Sequence, residues 1–454
     1  MKHLLLLAVI ALVSAPFGLL AQDEPQSSTE TTPQKPQEST QAPANTSPQQ
    51  APNTNATSPN GTLVNTIEAG ESDDEVIETP RKLVHWNEYQ GPYFGIRAGG
   101  GLLYEFAGYA QDKQSKQQFA LDPDFKLRDF RFLLKGNFGK LNMTWSSGIM
   151  YDAPTSSWLV RETGIMIPVP KLLGNLFIGR TKEGFSLNKV MVGYAGWTLE
   201  RFTMNDASIP ILADGIKWLG YSPKHGFLWN LGVYNDFLSK NQTFSTFSTQ
   251  GVARLIWLPI HSDEEEKLFH VGLNLRYGTP EDGKLQLRSR PEAFPAPYFV
   301  DTGKFAASAA RNIGYEIYYR AGPWLFGSEY WIEHVSSPST HNPLFNGGDV
   351  VATWLITGEA RAYNTVGGFF KAVSPARPVG EGGPGAWELV LGLSNIDLDS
   401  GTLNGGKFLR FTPVINWYLS NYVRLSFSYG YGYLDRFNLK GNTQFFQSRI
   451  QFQL

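Results

Sequence analysis

Apolar and polar residues alternate with a period of two along most of the chain from residue 93 to its end. In the segment 423–431, Val, Leu, Phe and Tyr at odd positions alternate with Arg, Ser and Gly at even positions. Successive side chains of a β-strand point to opposite faces, so this period predicts strands with one apolar and one polar face. A soluble β-sandwich would also show such alternation. Polar faces rich in Gly and Arg, aromatic strand ends and short turns alternating with long loops favour a transmembrane β-barrel.

The alternation predicts sixteen strands, an even number that places both ends of an antiparallel barrel on the same side of the membrane. The predicted strands are 96–110, 125–138, 141–152, 157–167, 175–182, 215–222, 226–237, 249–258, 268–278, 305–319, 324–336, 349–362, 386–398, 407–419, 422–434 and 444–454. Long loops are predicted at 183–214, 279–304 and 363–385, and residues 285–290 are assigned to a loop. Aromatic residues at predicted strand ends, as in the interfacial girdles of membrane barrels, are Trp257, Trp324, Trp417, Tyr418 and Tyr422.

The two ends of the molecule differ sharply in composition. Residues 1–21 combine Lys2 with a short apolar run and small residues, which is typical of a secretory signal peptide. Residues 22–80 are rich in Pro, Gln, Ser and Thr and poor in aromatics, so we expect a disordered linker. This linker holds ten carboxylates and one lysine, and without it and the signal peptide, residues 81–454 carry 37 basic and 31 acidic residues, a net charge of +6. The sequence therefore predicts an acidic tail attached to a basic barrel domain, 81–454.

Composition also excludes several classes of protein. The chain has no cysteine, which excludes disulfide scaffolds, thiol catalysis and a lipoprotein anchor. His261, Ser262 and Asp263 lie at a predicted turn followed by three glutamates, where a solvated charge run is the ordinary interpretation. We predict no catalytic residue, no metal site, no cofactor and no nucleic-acid partner.

Several segments resemble the phosphate-selective porins of the O and P family, and they occur in the family's order. The stretch FIGRTKEGFSL at 177–187 is similar to the signature VGQFKEPFSLE, with Arg180 and Thr181 in place of Gln-Phe and Gly184 in place of Pro. The others are SRPEAFPAPYFVDTGKF at 289–305, WLITGEARAY at 354–363, GAWELVLGLSNIDLDSGTLNGG at 385–406 and INWYLSNYVRLSFSYGYGY at 415–433. The resemblance covers about residues 93–454. It implies an all-β transmembrane antiparallel barrel of about sixteen strands, homotrimeric, with two outer loops and an inner turn folded into the lumen.

Basic residues are the candidates for contact with a permeating anion, because ammonium and guanidinium groups replace part of its hydration shell. Alternation points Arg131, Lys135, Arg276, Arg361, Arg410, Arg424 and Arg449 into the lumen. The resemblance places Lys182 near the start of a constriction loop. The candidate anion-binding and pore-lining residues are Arg131, Lys182, Lys189, Arg201, Arg276, Lys284, Arg288, Arg290, Lys304 and Arg361. The alternative role of each is a salt bridge to a lumenal carboxylate, which would brace the wall.

The expected function is passive diffusion of small anions, phosphate or polyphosphate, through the bacterial outer membrane. Export by the signal peptide would leave both termini of the barrel in the periplasm. Two alternatives remain open at this point: a general diffusion porin with weak selectivity, and a non-conducting barrel that binds ligands at the cell surface. Membrane lipid and further copies of the chain are the expected partners.

Overall fold

The computed structural model describes residues 86–91, 93–153, 156–208, 212–238 and 247–454. The predicted signal peptide and linker, 1–80, lie outside these described residues. Within the described ranges, no α-helix is long and apolar enough to span a bilayer.

Sixteen long antiparallel strands form a closed barrel, as the alternation predicts. Their bounds are β2 Gly95–Gln111, β3 Asp124–Phe138, β4 Met143–Asp152, β5 Ser157–Val169, β6 Gly174–Thr181, β7 Ala213–Ser222, β8 Phe227–Asn235, β9 Phe247–Ser262, β10 Lys267–Pro280, β15 Ala309–Ala321, β16 Trp324–Ser336, β17 Leu344–Leu355, β20 Ala386–Ser400, β21 Leu403–Tyr418, β22 Val423–Arg436 and β23 Leu439–Gln453. The first long strand pairs with the last, from Gly101 opposite Gln453 to Gln111 opposite Thr443, and this pairing closes the barrel.

The remaining elements are short and lie at the strand ends or in the loops. They are β1 Glu88–Gln90, α1 Lys113–Gln118, α2 Leu187–Val190, α3 Thr203–Ser208, β11 Lys284–Leu285, β12 Arg288–Ser289, β13 Val300–Asp301, β14 Phe305–Ala306, β18 Tyr363–Asn364 and β19 Phe369–Phe370, with 3-10 turns at Pro170–Leu172, Pro223–His225, Glu281–Gly283, Pro338–Thr340 and Val379–Glu381. Residues 285–290 contribute to two short strand pairs that are not part of the barrel sheet, in agreement with their assignment to a loop.

Most predicted strands differ from the observed ones by a few residues at their ends, and two of these differences change which residues belong to a loop. The strand predicted at 349–362 runs from Leu344 to Leu355, so Arg361 belongs to the following loop. The strand predicted at 305–319 begins only at Ala309, because residues 305–306 pair with β11 instead. In both cases the sequence pattern of the strand continues into a loop that folds back. Alternation alone therefore does not mark the residue at which pairing with the next strand stops.

The two rims of the barrel differ in the length of their connections. One rim, here the turn end, carries short connections such as Gly322-Pro323, where Gly322 adopts a φ of 54° that a tight turn requires. It also carries one long segment, 356–385. The opposite rim, the loop end, carries the long connections 182–212 and 281–308. Both ends of the barrel sheet lie at the turn end.

The outer face is apolar and carries an aromatic girdle at the turn end. Trp324 stacks on Trp354, and Trp387 stacks on Trp417, each with ring centroids 4.9 Å apart. These pairs confirm the predicted girdle at Trp324 and Trp417. The prediction is wrong for Tyr418, which is buried inside the barrel with its hydroxyl 2.8 Å from Oε2 of Glu388. Tyr418 follows the outward-facing Trp417, so the alternation itself turns it inward.

Three loop segments occupy the lumen. Residues 182–212, which we call the constriction loop, contribute Val190, Trp197 and Phe202 to an apolar cluster inside the barrel. Phe369 and Phe370, in the segment 356–385 at the turn end, belong to the same cluster. The loop 281–308 contributes Leu285, Phe299 and their neighbours to a second cluster nearer the loop end. The predicted inward folding of three segments is confirmed for two loops at the loop end and one segment at the turn end.

Candidate functional site: the two sides of the lumen

Charged side chains are distributed unequally around the lumen. On strands β15, β16, β17 and β20, five inward-facing carboxylates accompany a single arginine, Arg320. This acid-rich wall comprises Glu316, Glu329, Glu333, Asp349 and Glu388, all of which are buried. Strands β2 to β7 carry eight basic residues and six carboxylates. We call the basic residues of this side the cation-rich wall: Arg97, Lys126, Arg128, Arg131, Lys135, Arg161, Arg180 and Lys217.

The constriction loop begins its path against the acid-rich side of the lumen. The backbone N–H of Asn188 donates to Oε1 of Glu329 at 2.8 Å, and that of Ser186 donates to Oδ1 of Asn274 at 3.0 Å. Glu183 accepts from Arg276 at 2.9 Å. The Ser186 side chain accepts from the N–H of Lys189 and so caps the short helix α2. Buried, hydrogen-bonded anchors of this kind hold the first part of the loop across the barrel.

The loop reaches the cation-rich wall at Tyr194. The guanidinium of Arg131 lies 4.6 Å from the centre of the Tyr194 ring, a cation–π distance. A Cβ atom at Gly101 would lie 1.9 Å from the hydroxyl of Tyr194, so the glycine of β2 permits this approach. The GGG run at 99–101 lies within strand β2 and thus accommodates the loop.

Several predicted pore-lining cations are bound to carboxylates. Arg361 donates to both oxygens of Glu388 at 2.9 Å, and it also donates to the carbonyl of Ala195, so it ties the turn-end segment to the constriction loop. Arg131 pairs with Asp129. Arg276 pairs with Glu183, as described above. These three residues face the lumen as predicted, and the structure gives them the bracing contacts that were the alternative role.

Three other predicted residues converge inside the constriction loop. The ammonium of Lys182 and the guanidinium of Arg201 both donate to the carbonyl oxygen of Met191, each at 3.0 Å. Lys189 donates to the carbonyl of Asn205 at 3.4 Å. Burial, reinforced by the positive charge of Arg201, lowers the pKa of Lys189 to about 7. We call these three residues the loop cation cluster: Lys182, Lys189 and Arg201.

The remaining four predicted residues lie in the loop 281–308. Arg288 and Arg290 are partly exposed and lie 4.2 and 4.3 Å from the centre of the Tyr298 ring. Arg290 also donates to the carbonyl of Ala296 at 3.1 Å. Lys284 and Lys304 are exposed at the ends of the β11–β14 hairpin, away from the loop cation cluster. The second long loop therefore offers one arginine pair and two peripheral lysines.

Sequence reasoning missed several ion pairs in the lumen, and two of them also involve loops. Arg254 donates to both oxygens of Glu316, at 2.8 and 2.7 Å, and to the carbonyls of Gly367 and Gly368 in the turn-end segment. Arg128 donates to both oxygens of Glu200, at 2.6 and 2.9 Å. Burial would raise the pKa of Glu200, but Arg128 and Arg449 outweigh it and lower the pKa to about 2. The alternation in 249–258 is a signal that could have placed Arg254 in the lumen.

Access to water differs between the two sides of the lumen. The carboxylates of the acid-rich wall are at most 5% exposed, because loops cover them. Arg97 and Lys135, at the turn-end part of the cation-rich wall, are partly exposed. Gly193 and Gly196 of the constriction loop are partly exposed as well, and an added Cβ at Gly193 would face Arg131 at 3.9 Å. Arg131, Arg161 and Lys217 are as buried as the carboxylates of the acid-rich wall, so solvent reaches only part of the cation-rich wall.

The sequence model of the phosphate-selective porins O and P matches residues 96–454. This chain belongs to that family. The match begins at the second residue of the first long strand and ends with the chain, so it includes the whole barrel. Family and fold indicate an outer-membrane channel rather than an enzyme.

Solved structures share the barrel at low sequence identity. OmpT of Vibrio cholerae is 12% identical with a TM-score of 0.51, and the match covers 81% of this chain and 100% of that chain. The trimer form of in-vitro folded OmpT is 12% identical with a TM-score of 0.50, covering 80% and 100%. The outer membrane channel DcaP of Acinetobacter baumannii is 9% identical with a TM-score of 0.50, covering 81% and 99%. These similarities show the fold.

A curated relative matches over a shorter range. An uncharacterized protein of Caulobacter vibrioides is 25% identical over 165 residues, which is 36% of this chain. The match spans about a third, 33%, of the length of that relative.

Proposed function

We propose that the protein is a homotrimeric outer-membrane channel for passive diffusion of small anions, with phosphate or polyphosphate as the preferred solute. The observation that carries the proposal is the loop cation cluster, where Lys182 and Arg201 meet at the carbonyl of Met191. Cationic groups that converge within a narrow, low-dielectric path can replace several hydrating waters of one phosphate at once.

The path that we propose runs along the cation-rich wall. An anion would enter at the loop end beside Arg288 and Arg290, pass the loop cation cluster and Arg131, and leave at the turn end beside Arg97 and Lys135. The partial exposure of Arg97, Lys135, Arg288 and Arg290 supports this route. The net charge of +6 on residues 81–454 adds a long-range attraction for anions. The turn end would face the periplasm, with both barrel termini.

A general porin with weak selectivity is the second candidate. The ion pairs of Arg131 with Asp129, Arg276 with Glu183 and Arg361 with Glu388 favour it, because each carboxylate cancels one lumenal positive charge. The two candidates differ in what phosphate does. A weakly selective porin would conduct chloride without a phosphate block, whereas converging cations would hold phosphate long enough to block chloride.

Planar-bilayer recording of the purified full chain tests the proposal. We expect an anion-to-cation permeability ratio above one that falls as salt is raised, because screening shortens to ~3 Å at 1 M. Phosphate and pyrophosphate should each reduce the chloride current at concentrations well below that of chloride. Cation preference would overturn the proposal, chloride preference without block would favour the general porin, and absence of conductance would favour a surface-binding barrel.

The trimeric state is tested separately by mass. Size-exclusion chromatography with light scattering in detergent should give three chains per particle. A monodisperse monomer that still conducts would overturn the trimer while leaving the channel intact.

A further inference from the structure

The outer face of the barrel contains a concave apolar groove of about 830 Å³ on strands β7 to β10 and β15 to β17. Its floor is formed by Gly251 and Ala253 of β9, whose small side chains leave the surface low. A Cβ atom added at Gly251 would meet no atom within 4 Å. Val233 on one side and Ile313 on the other are exposed and rise above this floor.

One rim of the groove is basic. Strand register places Gly251, Tyr277, Arg311, His334 and Leu344 side by side on neighbouring strands at the same height. The guanidinium of Arg311 lies 5.6 Å from the centre of the Tyr277 ring. Arg311 is exposed, and none of the ion pairs formed among the described residues includes Arg311 or His334.

The height of Arg311 matches the boundary between lipid tails and headgroups. Strand β15 has 13 residues, and at ~3.3 Å per residue and a tilt of ~40° it rises ~33 Å. The apolar band of such barrels is ~25 Å tall, so about 4 Å of the strand extends beyond the band at each end. Arg311 is the third residue of β15 from the loop end, which puts it about 5 Å below the strand's start, at that boundary.

We propose that the groove binds a phosphate-bearing lipid of the leaflet that meets the loop end. An acyl chain lies over Gly251 and Ala253, and the lipid phosphate accepts hydrogen bonds from Arg311 and from His334. An apolar groove that ends in the exposed Arg311 guanidinium at headgroup height complements a lipid that has an anionic group at the end of its tails. A second copy of the chain would instead need an anionic group opposite Arg311, because burial of its guanidinium against an apolar surface is unfavourable.

Native mass spectrometry of the full chain in detergent micelles measures this binding. The protein is titrated with phosphatidylglycerol and, separately, with diacylglycerol of the same chains, which lacks the phosphate. We expect phosphatidylglycerol to bind with about tenfold lower Kd, the equivalent of one good charge-assisted hydrogen bond. Arg311→Gln should remove this preference. The matched control, Lys407→Gln, removes an exposed cation that already pairs with Asp397 at 2.7 Å, and it should leave the preference unchanged.

Filling the groove provides an independent test. Gly251→Leu should raise the Kd of both lipids at least about tenfold, whereas Val350→Leu, at another exposed outward position, should not. Equal Kd values for the two lipids in the parent protein, or an equal effect of Lys407→Gln and Arg311→Gln, would overturn the proposal. Dissociation of an oligomer by Gly251→Leu would also overturn it, because a second copy would then occupy the groove. Bilayer conductance of the parent protein is a separate readout, so failure here leaves the channel function untouched.

Discussion

The two sides of the lumen both carry charged residues, but those residues differ in their contacts with loops and with water. On the acid-rich wall, carboxylates such as Glu329 and Glu388 are covered by loops and accept hydrogen bonds from them. These contacts hold the loops in place inside the barrel. On the cation-rich wall, Arg97 and Lys135 remain partly exposed to the lumen. The comparison shows that carboxylates of the acid-rich wall brace the loops that cover them, whereas water reaches part of the cation-rich wall.

Arginine residues illustrate the distinction most clearly. Arg361 binds Glu388, the hydroxyl of Tyr418 and two loop carbonyls, and it is almost completely buried. Arg201 binds two loop carbonyls and stays partly exposed beside the Lys182 ammonium. The alternation predicts Arg361 as a pore-lining residue and the constriction loop predicts Arg201, and the structure gives Arg361 a carboxylate partner and Arg201 the loop carbonyls of Asn188 and Met191.

The largest effect is expected when a brace on the acid-rich wall is broken. Glu388→Leu leaves Arg361 buried without its bidentate partner, which should lower the free energy of unfolding by about 3–5 kcal/mol. Urea unfolding in lipid vesicles, followed by the heat-induced shift in electrophoretic mobility, measures the loss. The double variant Glu388→Leu with Arg361→Met should recover most of it, since no buried charge is left alone. A stable single variant would show that this pair braces nothing.

Removing two members of the loop cation cluster should change selectivity with little effect on folding. In Lys182→Met with Arg201→Met, we expect the phosphate concentration for half-block of the chloride current to rise at least tenfold. Each charge-assisted hydrogen bond is worth roughly 1.5–3 kcal/mol, and ~1.4 kcal/mol is a factor of ten.

The matched control for this experiment removes two positive charges elsewhere. Lys284→Gln with Lys304→Gln changes exposed residues of the β11–β14 hairpin and should leave the phosphate block unchanged. If both double variants weaken the block equally, general surface charge rather than the loop cation cluster attracts phosphate.

The smallest expected effect is a pH dependence from Lys189. Its pKa of about 7 means that the side chain is neutral above that pH and gains a positive charge as the pH falls through it. The chloride-to-potassium permeability ratio, obtained from reversal potentials, should therefore rise between pH 8 and pH 6. Lys189→Met should abolish this step without altering the ratio at pH 8. A step that persists in the variant would belong to another group.

Much of the barrel could be predicted from residues alone, because lipid on one side and water on the other impose a period of two on every strand. The same period correctly turned Arg131, Arg276, Arg410, Arg424 and Arg449 inward, and all five are buried in the lumen. It failed for Arg361, which reaches the lumen from a loop after β17 has ended at Leu355. Loops have no such period. The sequence therefore identifies their basic residues but does not predict where those side chains point.

The sequence by itself determined the strand number, the inward and outward faces, and the family, since each depends on local order along the chain. Only the tertiary structure decided which cations meet and which are cancelled. Lys182 and Arg201 converge because the constriction loop folds back at Met191, and Arg254 of β9 binds Glu316 of β15, a residue 62 positions away, over the intervening strand β10. Contacts between residues so far apart depend on which strands are neighbours and on how the loops pack inside the barrel. Neither produces a periodic pattern in the sequence.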